Sequence, residues 1–273
     1  MTDTLHPDAI TEDLTAPPRT LWRQIEPAAL GLGSIALLLI VWEALPHLVT
    51  LGAGTKMFFA TPSRVAATLW GMMATGTLWA PLGVSAAGFT VGLVLSIVVG
   101  LPLGVLLGRS RTLNAMFDPF ITAFNALPRI ALAPLFILWF GLGLIAKIAV
   151  GVSLSIVILL SSTVAGARSV DPDLLVLART LGATPVQVFF RITLPSAIPT
   201  IFSGLRLGLI YSLLGVISAE IIGSVNGLGV QLTQSAGMFD TNGVFGILVI
   251  LALLGALLTW GMNALERRLL RWR

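Results

Sequence analysis

Long apolar runs, separated by polar residues or by Gly and Pro, dominate the chain. Six of them reach the length of roughly 20 residues that a helix needs to cross a hydrocarbon core about 30 Å thick. Only Gly141-Leu142-Gly143 separates the third run from the fourth. The pattern predicts an all-α polytopic integral membrane protein with six transmembrane helices, at residues 28–48, 82–107, 119–140, 143–166, 197–222 and 244–263.

Small residues recur every fourth position on two of these runs. Because apolar surface alone does not drive association in lipid, such stripes let helix backbones approach closely, and each run is expected to pack against protein. A step of four residues overshoots one turn by about 40°. The stripe on the second run therefore winds and could serve more than one neighbour. The stripes comprise Gly88, Gly92, Ser96, Gly100, Gly104 and Gly108, and Gly204, Gly208, Ser212 and Gly215.

Two segments outside the runs carry their own signals. Residues 1–27 are polar, contain five acidic side chains and show no small-residue cleavage pattern after them, which predicts a flexible tail and not a signal peptide. Residues 61–75 begin with a cap-like Thr61-Pro62-Ser63 cluster and place several apolar residues on one face. This predicts a short helix on the outer membrane surface.

Basic residues predict the orientation. With the N-terminus in the cytoplasm, eleven Lys and Arg residues lie on the cytoplasmic side, and only Lys56, Arg64 and Lys147 lie on the other. Both termini are therefore expected in the cytoplasm. The net charge of +4 follows from this topology, and nucleic-acid binding is not indicated. The eleven are Arg19, Arg23, Arg109, Arg111, Arg168, Arg179, Arg191, Arg267, Arg268, Arg271 and Arg273.

Composition and motifs argue against an enzyme. The chain is 56% hydrophobic and 10% charged, and it has no cysteine, so thiolate metal sites and cysteine nucleophiles are excluded. It contains neither H-E-x-x-H nor G-x-S-x-G. Neither lysine ends a phosphate-binding loop, since Met57 follows Lys56 and Ile148 follows Lys147. We expect no catalytic residue, metal site or cofactor on this chain, so ATP-driven work requires a separate ATPase.

A polar stretch between the fourth and fifth runs predicts a docking surface. Asp171-Pro172 is a helix start, Gly182 a helix stop and Thr184-Pro185 a second start, which gives two short helices joined at a glycine. Too many apolar residues follow for a loop that faces only water, so a protein partner is implied. These residues are Leu177, Leu181, Val186, Val188 and Phe189.

The same stretch resembles the EAA loop of ABC-importer permeases, whose pattern is E-A-A-x3-G-x9-I-x-L-P. The run from Ala178 to Gly182 and the run from Ile192 to Pro195 match at the same spacing, whereas Val176 replaces the Glu and Leu177 the first Ala. The resemblance implies a type I ABC-importer permease fold and a cytoplasmic coupling loop, 168–196, that contacts the ATPase. The predicted coupling residues are Asp171, Ala178, Arg179, Leu181, Gly182, Ala183, Thr184, Leu194 and Pro195.

Further segments are similar to permeases of the nitrate, sulfonate, taurine and bicarbonate branch. They run from Asn125 to Leu135 and from Leu138 to Gly143, and include Ala219-Glu220, Gly227-Leu228-Gly229 and the stretch 265–272. The similarity covers the chain from about residue 58 onward. It implies a permease domain over 28–273, with its core at about 80–265.

The resemblance also implies the setting and the partners. The expected function is import of a small solute, such as a sulfonate, taurine, nitrate or bicarbonate, by alternating access in the bacterial inner membrane. Two ATPase subunits would bind ATP and Mg, a second permease copy would complete a homodimer, and a periplasmic or lipid-anchored binding protein would deliver the solute. The alternatives are import of a small heterocyclic or aromatic compound by the same mechanism, or a secondary transporter.

Ionisable residues inside the runs are candidate sites, because an unpaired charge in hydrocarbon is costly. The candidates for the translocation pathway are Asn125, Arg129, Ser212, Ser218 and Glu220. Glu220 would either line the pathway or anchor the outer loop that follows it. Arg129 lies between Pro128 and Pro134, which should bend the helix, and it would either meet an anionic solute or satisfy freed carbonyls. Arg206 fits an interfacial anchor, and Glu43 has the weakest case for transport.

Overall fold

A computed structural model describes residues 21–48 and 59–269, and its regular structure there is entirely helical. Most of the predicted tail (1–20) lies outside these ranges, as do Arg19, Lys56, Arg271 and Arg273. The described residues up to Ser63 and those from Arg64 onward form two separate compact units. The helices are α1 Leu21–Leu48, α2 Pro62–Ala74, α3 Trp79–Arg109, α4 Arg111–Ala126, α5 Ala133–Phe140, α6 Leu144–Arg168, α7 Pro172–Thr180, α8 Pro185–Val188, α9 Leu194–Ile222, α10 Leu228–Gly237 and α11 Thr241–Leu269.

Four of the described helices are long and apolar enough to cross a membrane: α3, α6, the helix Pro185–Ile222 and α11. A fifth span consists of α4 and the segment Arg129–Phe140, which meet at a bend of 86°. This confirms the all-α membrane class and the bend expected at Pro128. The first predicted span lies in α1, whose apolar part Gly33–Pro46 is shorter than the others, so the count of six stays a prediction.

The bend has a local cause. Pro128 cannot donate a backbone hydrogen bond, and Leu127 before it is held in the extended region at φ −71° and ψ 136°. A 3-10 turn, Arg129–Leu132, then leads into α5. α4 also begins earlier than the run at 119 predicted, at Arg111, because the Ser110 hydroxyl caps it by accepting a hydrogen bond from the Leu113 N–H at 3.2 Å.

The two short helices predicted around Gly182 are present. The Asp171 carboxylate caps α7, Gly182 has a φ of +77°, and Thr184 forms a capping box with Gln187. The second of them, α8, is not separated from the fifth span. It continues through a π-helical turn, Phe189–Thr193, into α9. The widened turn tolerates the missing N–H of Pro195 and keeps Pro185–Ile222 one helix of 38 residues.

The helix α6 forms the centre of the bundle, between α3 and α9. A Cβ on Gly104 would lie 2.5 Å from the Thr163 Cβ and 2.9 Å from the Leu160 carbonyl, and a Cβ on Gly204 would overlap Ser162. The predicted close approach is therefore confirmed. The stripe on α3 meets α6 along its whole length, and at Gly88 and Gly92 a Cβ would also meet Val216 and Ser212 of α9. The stripe therefore packs mainly against α6 and, near its start, also against α9.

A valine at Gly104 should destabilise the protein by about 1–3 kcal/mol, the usual cost of overpacking. The reason is that the Leu160 backbone on α6 cannot retreat like a flexible side chain. Gly83→Val on the same helix is the control, since nothing lies within 4 Å of a Cβ there. Thermal unfolding of the purified protein in detergent measures both variants, and equal melting temperatures for the two would contradict the packing described.

Candidate functional site

The predicted coupling loop, 168–196, lies at the end of the bundle where α3 and α6 finish and α9 begins, called here the α7 end. One side of α7 faces the bundle, with Ala178 buried and Leu175 half-buried. The opposite side exposes an apolar surface. Its residues and exposed fractions are Leu174 47%, Val176 62%, Leu177 55% and Leu181 77%, with Val186 62% and Phe190 62% in the following turn.

Two residues predicted to belong to this apolar surface are instead half-buried, namely Val188 and Phe189. The ring of Phe189 lies under the guanidinium of Arg109, 4.5 Å from the Cζ atom to the ring centroid. The cause is the continuous helix, which turns this side of α8 toward the end of α3. Phe190, not Phe189, is the exposed aromatic residue.

The other predicted coupling residues shape the segment. Asp171 and Thr184 cap the two short helices, and the Ala183 N–H donates to the Ala178 carbonyl at 3.0 Å. Leu194 and Pro195 begin α9. Arg179 lines a cavity behind α7. The predicted set therefore lies together at one end of the molecule, whereas its contact with an ATPase stays a prediction.

Glu220 lies at the opposite end, called the α10 end, with 1% of its surface exposed. The Ser85 hydroxyl lies 2.8 Å from each carboxylate oxygen, the Lys147 ammonium 3.1 Å from Oε1, and the Gly229 N–H donates to Oε2 at 2.9 Å. Lys147 is itself 3% exposed and also donates to the Asn226 carbonyl. These groups, the Glu220 cluster, join α3, α6, α9 and the start of α10.

Two glycines make room for this cluster. Gly227 has a φ of +133°, and a Cβ there would overlap the Glu220 carboxylate. A Cβ on Gly229 would lie 2.6 Å from the Glu220 Cβ. The Leu228 N–H completes the arrangement by donating to the Ser85 hydroxyl at 2.9 Å. The Gly227-Leu228-Gly229 sequence thus brings backbone donors up to a buried carboxylate.

Lys147 was missed as an intramembrane charge, because the topology count placed it on a membrane surface. A signal was present in the sequence, since Lys147 falls inside the run predicted at 143–166. Its partner Glu220 is 73 residues away in the chain, so the pairing itself had no local signal.

The remaining pathway candidates do not form a single cluster. Arg129 donates to the Ser153 and Leu154 carbonyls at 3.3 and 3.0 Å, so it bonds α6 and not the carbonyls of its own bent segment. Asn125 is exposed and Ser218 half-buried. Ser212 is fully buried, and its hydroxyl has no hydrogen-bond partner among the described residues.

The two other charged candidates make structural contacts. Arg206 pairs with Glu266 of α11 at 2.5 Å, with side-chain exposures of 36% and 21%. Glu43 accepts hydrogen bonds from the Ser63 N–H at 3.0 Å and from its hydroxyl at 2.7 Å. In the ranges 21–48 and 59–269, no group of three His, Cys, Asp or Glu residues could hold a metal ion.

Comparisons with known proteins all find components of transport systems. Residues 97–271 match the family model described as "Binding-protein-dependent transport system inner membrane component". The chain is 33% identical to the taurine transport system permease protein TauC of Escherichia coli, with 92% of each chain covered. It is 32% identical to the putative aliphatic sulfonates transport permease protein SsuC of Bacillus subtilis, with 89% of this chain and 87% of that protein covered.

A relative with a different solute is equally similar. The riboflavin transport system permease protein RibX of Chloroflexus aurantiacus is 34% identical, with 92% of each chain covered. Among solved structures, a chain of the MetNI methionine ABC transporter in inward-facing conformations superposes with a TM-score of 0.62 at 22% identity, covering 69% of this chain and 94% of that chain. This likeness supports the fold.

Proposed function

Because the chain belongs to the family of binding-protein-dependent transport system inner membrane components, we propose that it imports a sulfonate-type organic anion. It is a multi-pass inner-membrane permease subunit of an ABC importer and not an enzyme, and the ATPase of such systems is a separate subunit. The secondary-transporter alternative is therefore wrong. The observation that carries the choice of solute is the similarity to the taurine and aliphatic sulfonate permeases over most of the chain.

In this proposal the α7 end faces the cytoplasm. Two ATPase subunits that bind ATP and Mg contact the exposed apolar surface around Leu177 and Leu181, and both termini, including the tail 1–27, lie on the same side. A second copy of the chain completes the permease. The solute-binding protein docks at the α10 end. The coupling loop spans 168–196 within a permease domain over 28–273, whose core is at about 80–265.

The continuous helix from Pro185 to Ile222 supports a mechanical role for this loop. At 1.5 Å per residue its 38 residues span about 57 Å, from the segment that meets the ATPase to the Glu220 cluster at the other end. When the ATPase pair moves the loop, this continuous helix can therefore transmit the movement to the α10 end. Alternating access follows when the two conformations differ in their contacts with the ATPase pair and with the binding protein.

For the pathway we propose Asn125 and Arg129 as the first residues to meet the solute, with Ser218 of α9 as a further candidate. The guanidinium of Arg129 suits an anion, and its two bonds to α6 carbonyls hold it in place. Ser212 is packed between Gly92 and Gly151, which supports a packing role. The contacts of Glu220 support the loop-anchor hypothesis, because hydrogen bonds and an ion pair occupy both carboxylate oxygens.

The test is uptake by the chain reconstituted in proteoliposomes with its own ATPase subunits and binding protein. We expect ATP-dependent uptake of taurine or a short alkanesulfonate, no hydrolysis of ATP by the isolated chain, and no competition by riboflavin. Arg129→Gln should lower uptake more than it lowers binding-protein-stimulated ATP hydrolysis. Riboflavin uptake that sulfonates do not inhibit would instead favour the heterocycle alternative, which the similarity to RibX supports.

A further inference from the structure

Four arginines line one cavity behind α7. They come from four helix ends: Arg109 at the end of α3, Arg111 at the start of α4, Arg168 at the end of α6 and Arg179 near the end of α7. The cavity has a volume of about 640 Å³, and no acidic residue is among those that line it. We call it the arginine cavity.

The four arginines bring like charges together in this cavity. Within the part of the chain that the structure describes, none of the four arginines has a carboxylate within 4.0 Å. Arg109 rests on the Phe189 ring. Two nearby carboxylates have other positions. Asp171 accepts a hydrogen bond from the Asp173 N–H at 2.9 Å, and Asp118 lines an adjoining cavity together with Arg168. Since like charges repel, an anion would stabilise the cavity.

Apart from Arg179, which belongs to the predicted coupling residues, the cavity lies on the side of α7 away from Leu177 and Leu181, the proposed ATPase contact. Pro172, Leu175 and Arg179 line it from positions i, i+3 and i+7, whereas Leu177 and Leu181 are exposed on the other side. An anion held there would contact the ends of the spans and the coupling helix together. It would therefore stabilise one position of α7 relative to the ends of the spans.

We propose that the arginine cavity binds the phosphate headgroup of an anionic phospholipid and that this headgroup fixes the position of α7. The cavity lies where the spans α3 and α6 end, and basic pockets between helices at the ends of spans take such lipids. Beside it α4 exposes an apolar surface for acyl chains, formed by Met116 (59%), Phe117 (49%) and Phe120 (71%). The effect on α7 rests on the proposed coupling function, whereas the binding itself does not.

The test uses the complete transporter in nanodiscs of phosphatidylcholine with and without phosphatidylglycerol. The variant Arg111→Gln/Arg168→Gln removes two charges from the cavity, and the control Arg267→Gln/Arg268→Gln removes two exposed charges from α11, outside the cavity. Native mass spectrometry counts retained phosphatidylglycerol, and ATP hydrolysis with binding protein reports coupling. We expect the cavity variant to retain phosphatidylglycerol about thirtyfold less well, since each basic group near an anionic headgroup contributes about 1 kcal/mol, and to lose the stimulation by this lipid.

Several results would overturn the proposal. Equal lipid loss in the two double variants would show that the lipid is retained by general surface charge and not by a specific site. Loss of the ATPase subunits from the cavity variant, with lipid retention by the permease unchanged, would assign the arginines to the ATPase contact. Protection by inorganic phosphate or taurine in phosphatidylcholine alone, if it depended on Arg111 and Arg168, would make the occupant a soluble anion. Because lipid retention is measured without solute, a wrong sulfonate assignment would not alter it.

Discussion

Glu220→Gln will lower the stability of the assembled transporter by about 3–5 kcal/mol, the usual result of removing one partner from a buried ion pair. The ammonium of Lys147 is 3% exposed and would remain in the bundle without its carboxylate. The amide would also lose one of the acceptor oxygens that Ser85 and the Gly229 N–H use. Thermal unfolding of the complex in detergent measures the loss.

Lys147→Met should be similarly destabilising, since it leaves the carboxylate uncompensated. The double variant Lys147→Met/Glu220→Gln removes both charges, and it should be more stable than either single variant. Selectivity between taurine and other solutes should stay unchanged in all three. Altered selectivity at normal stability would show that Glu220 lines the translocation pathway and does not only anchor the outer loop.

The pair Arg206–Glu266, which joins α9 to α11, offers a matched control. It is partly exposed, at 36% and 21%, and exposed pairs contribute about 0–1 kcal/mol. Glu266→Gln should therefore change the melting temperature far less than Glu220→Gln. If both variants lost the same stability, burial would not explain the effect at Glu220.

Gly182→Val should abolish most transport while the chain still inserts into the membrane. The φ of Gly182 is +77°, and nothing lies within 4 Å of a Cβ placed there, so the whole cost is backbone strain. For a residue with a Cβ this conformation costs about 1–2 kcal/mol. A cost near 1.4 kcal/mol is tenfold in an equilibrium, enough to disturb the turn that joins α7 to α8.

Gly182→Asn separates strain from other effects, because Asn tolerates the left-handed region. It should keep most ATP-dependent uptake and most binding-protein-stimulated ATP hydrolysis. Both are measured in proteoliposomes, with the amount of inserted protein compared by immunoblot. Normal uptake by Gly182→Val would show that this turn does not carry the coupling.

The membrane class, the helices around Gly182 and the bend at Pro128 followed from the sequence. Each depends on signals that act within a few residues: the length of an apolar run, a capping side chain, or a proline without an N–H. The EAA-like spacing and the similarity to one permease branch could likewise be read from neighbouring residues. These features do not depend on which helices become neighbours.

Only the tertiary structure decided which distant groups meet. Lys147 and Glu220 are 73 residues apart, and Ser85 and Glu220 are 135 apart, so no local pattern pairs them. The burial of Phe189 against Arg109 and the convergence of four arginines behind α7 also depend on how the helix ends assemble. The sequence by itself determined the elements and their apolar surfaces, because those are local free-energy preferences. The partners of its buried charges depended on packing, since a charge in hydrocarbon is stabilised by whatever neighbour the fold brings within a few ångströms.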